Sequence, residues 1–257
     1  MEYRLTVPFT VYPEDFEETL EKNLCRCRDA GAHRIFYVVC SATASEETKQ
    51  LCLRRLRYAV PRVRAAGFEV GCWLNSLGHG GPAGAETLRA AAEGHLTLMR
   101  SLDGVQDTES CCPLNENYRG LFCDWVGRLA ATGVDIIQLD DDFRYGWRGG
   151  ERFCCCDDHI RLLEAALGEP FDAARMKKAL EEGAPNRLRS TWLQVQGQTL
   201  LDFARMLRAA VDKVAPTVRL TACAVLSTWD IDGVDSLTLA KAFAGGTKPL
   251  LRLIGAP

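Results

Sequence analysis

The sequence predicts an α/β fold built on a parallel sheet, and three observations carry that reading. Short apolar, β-branched runs alternate with stretches of helical spacing along the whole chain, which is the pattern of repeated βα units. The strand runs are nearly continuous in apolar character, as in RIFYVVC over 34–40 and VDIIQLD over 134–140. Strands covered on both faces read this way. Six such runs fit into 257 residues, separated by connections long enough for right-handed crossovers. A closed barrel of this kind has eight βα units. The reading is therefore one domain over 1–257, a TIM-type (β/α) barrel represented by its amino-terminal six strands, partial or open.

The elements follow in order. A first strand covers 3–9. Tyr12-Pro13 opens a helix with Phe16, Leu20, Leu24 and Cys27 on one face, stopped at Gly31. The second strand is 34–40. Thr43 and Glu46 have capping-box spacing for a helix that carries Leu53, Leu56, Val60 and Val63, bends or splits at Pro61, and ends at Gly67. The third strand is 68–75. Segment 76–114 begins with a glycine-rich GHGGPAG, expected to be irregular, and continues as a hairpin turning at Asp103-Gly104. Asn115 caps a helix bearing Leu121, Trp125 and Leu129, closed by Gly133. The fourth strand is 134–141. A cysteine-rich irregular stretch precedes a helix over 157–167 with Ile160, Leu163 and Ala166 on one face. Asp172 caps a helix to about Glu182, and Asn186 a long one to about Val214 with Trp192, Val195, Phe203, Leu207 and Val211 as its stripe. A fifth strand over 218–226, a helix over 234–244 and a sixth strand over 249–254 complete the series.

Bulk composition narrows the function. Net charge is -3, and no basic stripe suggests a nucleic-acid partner. No apolar run approaches the roughly 20 residues that cross a bilayer, and no signal peptide is visible, so a cytoplasmic protein is expected. In that compartment the 12 cysteines stay reduced. No cofactor is expected.

The chemistry concentrates at LDDDFR, 139–144. Barrels place their active sites at the carboxyl ends of their strands, and three successive acids cannot be core. Side-chain alternation turns Gln138, Asp140 and Asp142 inward and leaves Asp141 at the rim. The same register sends Arg4, Thr6, Trp73, Asn75, Arg219, Thr221 and Arg252 inward. Asp140 and Asp142 are the catalytic candidates. Asp141, Arg144, Trp73, Asn75, Arg219, Arg252, Trp147 and Trp229 are candidates for substrate contact, since carboxylates, amides and guanidinium groups bind sugar hydroxyls while indoles pack on apolar ring faces. Two carboxyl groups are what glycoside hydrolysis requires. A helix cap plus an arginine-paired loop is the plainer account of the same acids, and a carboxylate-bound Mg²⁺ or Mn²⁺ a third.

In FCCCDDH, 153–159, Cys154, Cys156 and His159 have short metal-ligand spacing, with Cys111 or Cys112 as a fourth donor. The spacing is not the doubled C-x-x-C pattern, and reduced thiols packed under the barrel rim are the preferred account. No metal is therefore assigned.

The run LDDDFR, a preceding hairpin ending in CPLN, and CCCDDHIRLL together resemble bacterial glycoside-hydrolase-like proteins akin to the β-galactosidase-type (β/α)8 barrels. The resemblance implies a general acid/base just after the fourth strand, falling on Asp140–Asp142, and a nucleophile after a seventh strand that this chain lacks. The usual strand-four pair in that clan is Asn-Glu, where this chain has aspartates.

Three functions are expected candidates: a glycoside hydrolase-like barrel, a non-catalytic carbohydrate-binding barrel, and a metal-dependent sugar isomerase or aldolase. A carbohydrate is the expected partner. An open sheet edge also predicts homo-oligomerisation or poor solubility.

Overall fold

The computed structural model describes residues 4–78, 81–145, 153–182, 184–225 and 232–254. The elements are β1 Thr6–Thr10, α1 Phe16–Asp29, β2 Arg34–Val38, α2 Glu46–Ala65, β3 Glu69–Leu74, α3 Gly81–Ala92, β4 Leu98–Arg100 and β5 Gln106–Cys111. There follow α4 Glu116–Ala130, β6 Ile136–Leu139, α5 Asp157–Leu167, α6 Ala173–Glu181, α7 Arg187–Asp212, β7 Arg219–Val225, α8 Ser236–Ala244 and β8 Arg252–Ile254.

Six strands form one sheet in the order β1-β2-β3-β6-β7-β8, every neighbouring pair parallel. Sequential strands that lie side by side and run parallel need helical crossovers, and this is the arrangement of a (β/α) barrel, here with six of the eight strands that close one. The hairpin β4–β5 is a separate antiparallel pair.

Strand register stacks the inward side chains in levels. Thr6, Arg34 and Glu69 align at the amino end of the sheet. Phe36, Gly71, Ile136 and Arg219 form the next level, and Trp73, Gln138 and Thr221 the one above. The opposite alternation, including Ile35, Tyr37, Val70, Cys72, Leu74, Ile137, Leu139, Leu220 and Ala222, joins the main core beneath the helices. The sequence register is thus the observed one within the strands.

The core itself is aromatic near the carboxyl end of the sheet. Phe203 of α7 meets Tyr118 and Phe122 of α4 and Phe143 after β6, with ring centroids 5.7–6.1 Å apart. Each such buried ring contributes about 1.5–3 kcal/mol of transfer free energy. Trp125 is fully buried and donates its Nε1–H to the Cys40 carbonyl at 2.9 Å, which pins α4 to the end of β2.

Several local expectations change. α1 begins at Phe16, past Tyr12-Pro13. Ser45, not Thr43, caps α2, its hydroxyl accepting from Thr48 N. α2 runs through Pro61 as one helix. The segment expected to be irregular instead contributes α3, because alanines and Leu88 after the glycines supply helix propensity. Leu121 is 39% exposed, and the packed face of α4 is Tyr118, Phe122, Trp125 and Leu129. In α5 the buried face is His159, Leu163 and Leu167, not Ile160 and Ala166. The hairpin, the Asn115, Asp172 and Asn186 caps, and the stripe of α7 stand as read.

Candidate functional site at the carboxyl ends of the strands

The acids leave the sheet at different angles. Asp140 still belongs to the ladder, its N–H donating to Leu74 O at 2.9 Å. Its Oδ1 accepts from Asp141 N at 2.8 Å. Asp141 stands 3.5 Å from Arg144. Both residues are half-buried.

Asp142 is only 2% exposed, and its oxygens accept from Ser76 N at 2.8 Å, Ser76 Oγ at 2.6 Å and Gly78 N at 3.0 Å. Burial pushes its carboxyl above the usual range, opposed by these three donors and reinforced by the nearby Asp140 charge. The expectation that Asp142 faces the barrel interior is corrected here: the strand ends at Leu139, so strict alternation lapses before residue 142 and the side chain turns into the loop after β3. Tyr118 donates its hydroxyl to Ser76 O in the same junction. Gly78 is required there: at φ 153° an added Cβ would sit 2.0 Å from Glu109 O of the hairpin.

Among the substrate-contact candidates, Trp73 and Arg252 come together, the guanidinium 4.5 Å from the indole centroid. Trp73 Nε1 is buried without a hydrogen-bond partner among the described residues. Both residues line a cavity of about 300 Å³ inside the sheet, with Arg4, Pro8, Phe36 and Gln138. Asn75 is half-buried just past β3. Arg219 is placed elsewhere. It opens β7 at the amino end of the sheet and pairs with Glu69, which also receives Arg34. It lies some four residues below the level of Asp140, about 13 Å at the rise of a strand. Trp147 and Trp229 lie outside the described residues.

Two residues escaped the sequence reading. Asp232 accepts Tyr145 N at 2.7 Å and is pushed up to about 7 by burial, against the pull of that N–H and of Arg144. With Asp141 and Arg144 it lines a small pocket of about 40 Å³. The turn that carries Asp232 sits tightly on α7, where a Cβ on Gly197 would be 2.1 Å from Gly233 O. Tyr145 is the second, and its hydroxyl points to His159 Nε2 at 2.9 Å.

His159 belongs to a donor cluster. Sγ of Cys112, Cys154 and Cys156 and one nitrogen of His159 all lie within 4.8 Å of one another, and all four residues are buried. Cys112 Sγ is 3.4 Å from Cys156 Sγ, and Nδ1 of His159 is 3.4 Å from Cys112 Sγ and 3.3 Å from Cys156 Sγ. Zinc–thiolate bonds of ~2.3 Å and zinc–imidazole bonds of ~2.0 Å place tetrahedral donors about 3.5–3.8 Å apart, so the set fits such an ion with small adjustment. Alternation in the extended loop separates Cys154 and Cys156 from Cys155, which packs with Leu102, Leu163 and Trp192 in a second core. Cys112, not Cys111, is the fourth donor. Hydrogen bonds from the Cys112 and Cys154 thiols and from His159 lower Cys156. Four protein donors leave no open coordination position, which is the pattern of a structural site. All twelve cysteines are free thiols.

Fold and rim together define a (β/α)-barrel protein with acidic groups at the carboxyl end of its fourth parallel strand. Solved structures with the same fold are a β-galactosidase from Bacillus circulans sp. alkalophilus (TM-score 0.65, 14% identity, 99% of this chain and 40% of that one) and a β-galactosidase from the haloarchaeon Halorubrum lacusprofundi (0.62, 14%, 99% and 40%). A third is GH5_18 from Streptomyces cattleya in complex with Manb1-4GlcNAc (0.56, 11%, 94% and 50%). This chain spans 40–50% of the length of these relatives in fold. No protein-family model and no curated protein matches the sequence. No described helix is long and apolar enough to cross a membrane.

Proposed function

We propose that the chain is the strand-one-to-six portion of a glycoside hydrolase-like barrel that takes a carbohydrate at the carboxyl end of β6, with Asp140 in the acid/base position. The observation that supports this most is the half-buried Asp140–Asp141 pair at the end of the fourth parallel strand, on a fold shared with glycosidases. The β-galactosidase-type clan that the sequence resembles has its acid/base at that strand end, and in glycoside hydrolysis a second carboxyl group must stand about 5–9.5 Å from it. In this reading the second group lies on a strand beyond the six.

One observation favours a second reading, a barrel that binds sugar without turning it over. Asp142 is engaged by Ser76 and Gly78 and offers no free oxygen face for a substrate. The two readings separate in one pair of measurements. Measured on the barrel completed by the strand that carries the second carboxyl group, hydrolysis of p-nitrophenyl β-galactoside and β-mannoside that falls at least 100-fold in Asp140→Asn supports the enzyme. Calorimetric binding of the corresponding methyl glycosides with no turnover supports the binding barrel. Neither binding nor turnover with any of these sugars removes both.

A further inference from the structure

The thiol–imidazole cluster is not needed by the carbohydrate reading, yet it is tied to the acidic loop by a run of matched hydrogen bonds. Cys112 follows the hairpin strand β5, and its N–H donates to Thr97 O. Cys154 and Cys156 precede α5, where Cys155 N donates to Arg100 O of the same hairpin and the Cys154 carbonyl accepts from Gln196 of α7. His159 lies in the first turn of α5. The four donors therefore join the connection after β3 to the connection after β6. These are the two connections whose junction Asp142 also bridges.

Donor and acceptor roles along the next links are fixed by chemistry. The thiols lie beside Nδ1. An imidazole that gives Nδ1 to a cation keeps its proton on Nε2, and that proton meets the Tyr145 oxygen at 2.9 Å. The phenol then has its own proton left to donate, and Thr199 of α7 stands nearby. The Thr199 hydroxyl donates a hydrogen bond to Val195 O at 2.9 Å. Metal-bound imidazoles are oriented by such outer partners. Tyr145 is also three residues past Asp142, and its backbone N–H is held by Asp232.

We propose that Cys112, Cys154, Cys156 and Nδ1 of His159 hold one zinc-class divalent cation, and that Tyr145 is a positioning residue through which this cation fixes the Asp140–Asp142 loop. The cation orients His159, His159 orients the Tyr145 ring, and Tyr145 sets the exit path of the acidic segment between Asp142 and Asp232. This holds whether the barrel hydrolyses sugar or only binds it. The thiols lose their protons to solvent as the cation enters.

The test uses the reduced chain, stripped with a chelator and titrated with Co²⁺. One equivalent should bind with thiolate charge-transfer absorption and the visible bands of a tetrahedral site, and Zn²⁺ should displace it. Tyr145→Phe should weaken Co²⁺ binding about 10–100-fold, the range for losing an outer-shell partner. In the unmodified protein, amides of residues 140–145 should exchange hydrogen faster after chelation than with Zn²⁺ bound. Absence of stoichiometric Co²⁺ binding overturns the whole proposal. Tight binding with unchanged affinity in Tyr145→Phe, together with exchange at 140–145 indifferent to metal, overturns the coupling. Neither result depends on the sugar assays.

Discussion

Asp142 and Ser76 form a closed bracket: the backbone N–H of Ser76 lies 2.8 Å from both carboxylate oxygens, and the Ser76 hydroxyl is 2.6 Å from Oδ1. The connection after β6 is thereby fastened to the connection after β3. Replacing Asp142 with Ala leaves buried donors at Ser76 and Gly78 without acceptors. The expected cost is about 3–5 kcal/mol, read as a shift in the urea midpoint. Asp142→Asn keeps one acceptor oxygen and should cost less. A Tm for Asp142→Ala equal to that of the parent would contradict the bracket.

Gly78 gives an independent check of the same junction. Its φ of 153° and the 2.0 Å approach of Glu109 O exclude a side chain. Gly78→Ala should lose roughly 2 kcal/mol or more and should loosen β5 specifically. Hydrogen exchange at Cys111 N, which donates to Leu77 O, reports this directly.

Asp232 makes stability depend on pH. Its carboxyl titrates near 7 in the folded chain against an ordinary value of 3.8. A raised carboxyl stabilises the folded state fully below about pH 4, and that contribution is lost as pH rises through about 7. Asp232→Asn retains an oxygen for Tyr145 N and removes the titration. The variant should therefore gain stability over the parent between pH 5 and 8, by roughly 2–4 kcal/mol at the upper end. Parallel stability curves for the two proteins would refute the assignment.

Arg219 distinguishes structural from ligand-binding charge. Its pairing with Glu69, beside Arg34, places it at the amino end of the sheet. Arg219→Met should lower stability by about 1–2 kcal/mol and leave sugar affinity unchanged. Arg252→Met, which removes the guanidinium from the Trp73 face, should weaken sugar binding if the interior cavity takes ligand. Calorimetry on both variants compares them.

The strands were legible because a parallel sheet demands long apolar runs, and 34–40 and 134–140 can be little else. Helix caps at Asn115, Asp172 and Asn186 were legible because a short polar side chain before an apolar stripe has one favoured use. What escaped had no local signature. Residues 81–92 form a helix although two of the first four are glycine and one is proline, since propensity is weighed over the whole segment. Asp142 follows the strand by three residues, so a period-two rule no longer governs it. Asp232 sits in a turn with no periodicity, and only the approach of Tyr145 N gives it a role. The Cys-x-Cys-x-x-His spacing was visible, with Cys111 or Cys112 as the fourth donor, but only the fold chooses Cys112, 44 positions from Cys156.

That same separation has a consequence for the unfolded chain. A cation gripping Cys112 and Cys156 would close a ring of polypeptide 44 positions long that contains α4 and β6 entire. By the chain-entropy argument used for cross-links, such a ring is worth about 4 kcal/mol, gained by denying the denatured ensemble its freedom. The strand that presents the acids would then lie inside a tethered circuit, and its cohesion would be set by metal supply as much as by packing.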